Sequence, residues 1–300
     1  NSSHCYTAVS KKPLIARRRF AEMPVASMNG IDLYYEQTGD GFPLVFSHEF
    51  AGDCRSWEPQ VRFFARRYRV ITYNQRGYPP TSVPKDAAAY TNDHLVEDLR
   101  RLLGFLGIRR AHVAGLSMGA TVALNFGIAY PEMAASLTLG GCGTGTINRE
   151  DFLRRTQMLV GILEEKGMEG YISNLEGVPA RLTLRRKSPE KWETFLAHLR
   201  GHSAAASAHL LRGVLIGRKT IFELEPDLKA LKIPTLILVG DRDVPSLEPS
   251  LFMHRHIPSS ALGVFPLSGH TLNTEEPELF NSMMSSFLTG VDRGGWYSGT

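Results

Sequence analysis

The chain has 300 residues, 43% of them hydrophobic and 21% charged, a composition that fits a soluble globular enzyme with one large core. The formal charge is +4, yet Lys11, Lys12, Arg17, Arg18 and Arg19 stand in an acid-free start; without those five cations the remainder carries about −1, so a nucleic-acid partner has no electrostatic support. The longest apolar runs are too short for a bilayer and the start lacks a signal-peptide h-region, which disfavours a membrane partner and secretion.

In chain order, residues 1–25 read as a disordered N-terminal tail, and residues 291–300 as a C-terminal one. Cys5, Cys54 and Cys142 show neither a paired framework nor metal-ligand spacing. Reduced thiols in the cytoplasm and no metal site are the expectation, with organelle targeting by the basic start as the alternative. Ile31, Leu33 and Tyr35 alternate with Asp32, Tyr34 and Glu36 as a half-exposed strand ended by Thr38-Gly39-Asp40-Gly41, after which a hairpin partner is expected. Pro43 to Ser47 is a compact buried strand that runs into His48-Glu49-Phe50-Ala51-Gly52-Asp53, where an oxyanion-binding loop would be built. Trp57 to Tyr68 has helical spacing, Val70 to Tyr73 is the next strand, and residues 74–84 form a loop. Thr91 or Asn92 caps a helix whose Leu95, Leu99, Leu102, Leu103 and Leu106 form one apolar face before Gly107 ends it.

The most informative stretch is Gly115-Leu116-Ser117-Met118-Gly119. A buried strand from Ala111 to Ala114 precedes it, and a helix over Ala120 to Ala129, stopped by Pro131, follows. A Gly-x-Ser-x-Gly in that context predicts a sharp strand-to-helix turn that exposes the serine hydroxyl, with glycines where a side chain would clash. Ser117 is the candidate nucleophile. Ser136 to Leu139 is another strand with the exit Gly140-Gly141-Cys142-Gly143, where Cys142 could line a pocket. From Thr144 to Thr220 strand signals stop and three helical patterns follow, starting at Asn148, at Ser188-Pro189-Glu190 and at Ser203. The simplest organisation is a core over 26–143 and 221–290 with a helical cap over 144–220. Strands resume at Thr235 to Val239 and Leu262 to Phe265, and a last helix spans Pro277 to Leu288.

A serine hydroxyl needs a histidine to take its proton, and that histidine needs a carboxylate to hold its tautomer. Asp241 and Asp243 follow one late strand and His270 follows the other, giving the order Ser, Asp, His. His254 with His256, and His198 with His202, lack a third metal ligand and read as solvated helix faces.

These motifs together resemble the α/β-hydrolase fold superfamily, over about Asn29 to Leu288. The resemblance implies an α/β architecture: a mostly parallel central sheet flanked by helices, with the helical cap inserted. It implies Ser117, Asp243 and His270 as the catalytic triad, the family spacing selecting Asp243 and leaving Asp241 as a solvated or turn-capping residue. By position, the backbone N–H groups of Phe50 and Met118 would bind the oxyanion. Glu49 stands where members commonly have glycine; its carboxylate is expected to point away from the oxyanion, toward Arg76 or another cation.

The function implied is cleavage of an ester or lactone of a small to medium organic acid, with no cofactor. C–C bond hydrolysis and cofactor-free haloperoxidase or perhydrolase chemistry are the alternatives on the same triad, and a small-molecule receptor with vestigial hydrolysis is the alternative of another class. The oligomeric state is not legible.

Overall fold

The structure, a computed structural model, describes residues 24–296. The expected N-terminal tail lies outside the described residues up to residue 23. Eight strands form one sheet: β1 (Val25–Met28), β2 (Ile31–Thr38), β3 (Phe42–Ser47), β4 (Tyr68–Tyr73), β5 (Ala111–Leu116), β6 (Ala134–Gly140), β7 (Thr235–Gly240) and β8 (Ser260–Phe265). Their spatial order is β1-β2-β4-β3-β5-β6-β7-β8. The first two pairings are antiparallel and every later one is parallel.

Helices α1 (Glu58–Phe64), α2 (Asn92–Phe105) and α3 (Met118–Ala129) connect the first half of the sheet. Between β6 and β7 the chain is helical: α4 (Arg149–Leu175), α5 (Pro179–Lys187), α6 (Pro189–Arg200) and α7 (Ala204–Leu210), the last continued by a π-helical turn over Leu211–Ile216. The final helices are α8 (Glu225–Ala230), α9 (Val244–His256), α10 (Leu272–Glu275) and α11 (Pro277–Asp292). Among the described residues no helix is long and apolar enough to cross a membrane.

Two expectations are corrected. The hairpin partner of β2 is not the strand that follows it but β1, joined through Asn29-Gly30 with φ of 51° and 73°. An Asn-Gly pair takes the two left-handed positions of a tight turn at little cost, and it is the local signal for this hairpin. β3 instead lies parallel between β4 and β5. The helical segment holds four helices rather than three: α5 has proline in its first turn and Arg185, Arg186 and Lys187 in its last, both helix-end signals, but at nine residues it is too short for a clear apolar period. α4 also breaks its period at Gly167, whose φ is 64°.

β5 continues two residues beyond the expected strand because the elbow packs at van der Waals limits. A Cβ on Gly115 would lie 2.2 Å from Gly119 O, and one on Gly119 would lie 2.1 Å from Ser47 O at the end of β3. Both glycines are therefore needed for α3 to rest across the ends of β3 and β5. α2 covers the sheet with its leucine face, all of Leu95, Leu99, Leu102 and Leu103 being buried, and Thr91 caps it by accepting the His94 N–H.

Inside this layer is a buried ion pair. Asp98 of α2 accepts from Arg76 Nε at 2.7 Å and Nη2 at 2.6 Å, and from Asn29 Nδ2 at 2.8 Å, while Arg76 Nη1 reaches Ala89 O at 2.7 Å. Arg76 is thus committed to fastening the 74–84 loop to α2. Asp98→Ala would strand a buried guanidinium and should cost about 3–5 kcal/mol of unfolding free energy. Urea denaturation measures this, and a loss below about 1 kcal/mol would show that the pair is not a fastening.

Candidate active site

Ser117 stands between β5 and α3 with φ 54° and ψ −112°, a left-handed backbone that a non-glycine residue holds only under tight constraint. Its N–H donates to Gly140 O at 2.7 Å, locking the turn to the end of β6. Ser117 is half-buried, and its Oγ makes no hydrogen bond among the described residues. Met118 opens α3, so its N–H has no acceptor within the helix.

The other two expected members come from the ends of β7 and β8. His270 Nδ1 lies 2.7 Å from Asp243 Oδ2, and both residues are buried. The hydrogen bonds of the described residues join His270 to Asp243 but not Ser117 to His270. Asp241 instead accepts from Ser268 N–H at 3.2 Å and sits beside Arg242, a turn-capping position.

The 48–53 loop at the end of β3 is held by a network that fixes its peptide planes. Gln75 N–H donates to His48 Nε2 at 3.0 Å, so the proton of the neutral ring must be on Nδ1, which donates to Glu49 O at 2.7 Å. Gly52 N–H also donates to Glu49 O. Because a trans peptide points its C=O and N–H in opposite directions, pinning Glu49 O turns Phe50 N–H away from these partners. Tyr78 Oη donates to Phe50 O at 2.6 Å and fixes the next plane. Neither Phe50 N–H nor Met118 N–H has a protein acceptor among the described residues.

Glu49 is only 2% exposed and forms a two-point ion pair with Arg181, Nη1 reaching Oε1 at 2.8 Å and Nη2 bonding Oε2. Burial alone would raise the Glu49 carboxyl, but the Arg181 charge and its hydrogen bonds outweigh this and hold it below the usual range. The same pairing holds the Arg181 guanidinium protonated against its own burial. At the far end of the loop Asp53 bonds Arg55 and lies 3.3 Å from His202 Nε2; burial opposes its charge, and these two partners carry it well below the carboxylate range.

A cleft of about 530 Å³ opens beside this loop, lined by Glu49, Gly52, Leu184, Phe195, His198 and Thr271 among others. Its lining includes Glu49 and Thr271, the neighbour of His270, but not Ser117, Met118, Asp243 or His270.

Comparison with known proteins supports the fold. Residues 43–188 match the sequence model of the alpha/beta hydrolase fold. The chain belongs to the α/β-hydrolase fold superfamily. This α/β hydrolase is 28% identical to a putative carbamate hydrolase RutD of Azorhizobium caulinodans, over 90% of this chain and 100% of that protein. It is 26% identical to 3-oxoadipate enol-lactonase 1 of Acinetobacter baylyi, over 83% of this chain and 89% of the other. Among solved structures it is similar to a thermophilic esterase from Thermogutta terrifontis, with a TM-score of 0.78, 28% identity and coverage of 89% and 97%.

Within the hydrolase, the partner of Glu49 is Arg181 and not Arg76. Sequence reasoning does not find Arg181 because it does not find α5; the Pro179 start of that helix is the available signal. Cys142 does not line the cleft: it is fully buried, 3.9 Å from Thr121 Oγ1, and burial pushes its thiol up to about 11. His202 is not on a solvated face, being 8% exposed against Asp53, whereas His198 is half-buried on the cleft wall and His254 is exposed. Phe50 packs edge-on against Tyr171 of α4 at 5.7 Å, so the helical segment covers the loop directly.

Burial pushes His48 down from 6.5 to about 4, since a charged ring would lack water. The unfolded chain therefore takes this proton first as pH falls. Stability is full above pH 6.5 and is lost progressively down to about pH 4, by roughly 3 kcal/mol from this group. Between pH 7 and 4.5, the fall in unfolding free energy should be smaller in His48→Gln than in the parent by about 2 kcal/mol. Equal falls in urea titrations at the two pH values would refute the assignment.

Proposed function

We propose that this α/β hydrolase cleaves an ester or lactone of a small to medium organic acid through an acyl-enzyme on Ser117. The observation that carries the reading is the Ser117 backbone. A φ of 54° at a serine costs on the order of 1–3 kcal/mol, and the close glycine packing sustains it at the carboxyl ends of the parallel strands, where ligands of such sheets bind. The buried Asp243–His270 pair supports it, because a neutral histidine held at Nδ1 presents Nε2 as the free base.

In this mechanism Ser117 Oγ attacks the substrate carbonyl while His270 Nε2 takes its proton, and Asp243 stabilises the imidazolium. The oxyanion forms against the N–H groups of Phe50 and Met118, both already oriented and without competing acceptors. His270 then protonates the leaving oxygen, the acyl-enzyme forms, and water activated by His270 releases the acid. Every proton transfer is covered by the triad, so no cofactor is required. The enol-lactonase and esterase relatives support acyl transfer to water.

A panel of p-nitrophenyl esters of increasing chain length, with simple lactones beside it, tests the activity. Ser117→Ala should fall by roughly 10⁴ or more in kcat with an unchanged melting temperature. Retention of more than about a tenth of parental turnover would exclude Ser117 as nucleophile.

The acid assignment has its own test. Asp243→Asn should lower kcat by orders of magnitude by stabilising the wrong histidine tautomer, whereas Asp241→Asn, altering only a turn contact, should leave kcat within a few-fold. The opposite ranking in steady-state kinetics would move the role to Asp241.

A further inference from the structure

A full negative charge adjoining an oxyanion site would oppose catalysis, because the transition state places a second negative charge close by in a poorly solvated space. Glu49 is directly bonded to Phe50 in sequence and is almost wholly buried, so solvent does not screen it. Its counter-charge comes from the helical segment between β6 and β7. The first turn of α5 touches the site twice: Ala180 O accepts the His270 N–H at 3.0 Å, and Arg181 bonds both oxygens of Glu49. Arg181 is also held from behind by the Phe195 ring of α6, 5.6 Å from its guanidinium carbon.

We propose that Arg181 is a positioning residue of the acyl-transfer site: by cancelling the Glu49 charge it lets the oxyanion form at Phe50 N–H. The inference rests on the Ser117 reading above. Arg181 touches no reacting atom; it acts through Glu49. The charged and titratable groups around His270 are Asp243 from the end of β7, Glu49 from the loop after β3 and Arg181 from α5. Beyond them, Glu275 of α10 accepts the Gly269 and Thr271 N–H groups, Lys187 of α5 bonds Ser268 and Glu276, and Asp241 accepts from Ser268 N–H. Of these carboxylates Asp243, Glu49 and Glu275 are buried, and Arg181 is the buried cation set against Glu49. Removing Arg181 alone leaves the buried Glu49 carboxylate without its counter-charge next to the Phe50 N–H.

The consequence is a reversal of sign between single and double substitutions. Arg181→Met should slow both p-nitrophenyl ester turnover and labelling of Ser117 by a p-nitrophenyl alkylphosphonate by tenfold or more. Glu49→Gln/Arg181→Met, which removes both charges, should recover most of the lost rate. Arg181→Lys, which keeps the counter-charge, should stay within a few-fold of the parental labelling rate. If Arg181→Met does not fold, comparison of Glu49→Gln with the double variant decides: equal labelling rates support a role exercised only through Glu49, and a further tenfold loss in the double variant overturns it. A double variant as slow as a folded Arg181→Met also overturns it. Parental enzyme that neither turns over esters nor labels at Ser117 would instead refute the underlying Ser117 reading, which the parental control separates from the variants.

Discussion

The site depends first on a steric constraint: α3 can reach the end of β3 only where two residues lack a side chain. Gly119 against Ser47 O and Gly115 against Gly119 O leave less than a Cβ radius of free space. This contact sets the angle at which the chain leaves β5, and so imposes the left-handed backbone on Ser117. It also brings the start of α3 beside the loop after β3, so that Met118 N–H and Phe50 N–H come from neighbouring strand ends. Larger residues here would not merely strain a turn; they would separate the two donors. Packing at the elbow and geometry of the site are one property of the same few atoms.

The second layer is electrostatic. Glu49, Asp53 and Asp98 are buried, and each has a guanidinium within hydrogen-bonding distance, as uncompensated burial of a carboxylate would not be tolerated. These pairs differ in what they join. Asp98 and Arg76 tie α2 to the 74–84 loop inside the core. Glu49 and Arg181, with Asp53 and His202, tie the loop carrying Phe50 to the helical segment above it. The loop is thus fixed from below by His48, Gln75 and Tyr78 and from above by charge.

Much of this is legible in the sequence because each signal is local. The elbow, the buried strands around it, the Thr91 cap and the order Ser117, Asp243, His270 each depend on residues within a few positions of one another or on their order along the chain. The misses are contacts between distant segments or patterns too short to show a period. Asn29-Gly30 announces a hairpin that pairs backward, but Val25–Met28 is only four residues long, and the next apolar run, Pro43 to Ser47, is the stronger strand signal. α5 spans nine residues in which only Arg181 and Leu184 are buried and the last three are basic, so neither an apolar run nor a helical spacing of apolar residues marks it. The partner of Glu49 lies 132 residues away, a separation at which no spacing rule applies. The burial of His202 depends likewise on Asp53, 149 residues earlier.

The bond from His270 N–H to Ala180 O bears on how such a protein can diversify. A helical segment set over a sheet is commonly treated as exchangeable, because its ends lie close together and it can be swapped for another of different shape. Here it is not a free module. It supplies a main-chain acceptor to the loop of the candidate base and the counter-charge to the loop of a candidate oxyanion donor. A graft that brought a new binding surface but no arginine at the position of Arg181 would arrive with Glu49 already waiting. Exchange of the segment is therefore tied to the residue that replaces glycine in the 48–53 loop, and the two would have to change together along any lineage that carries them.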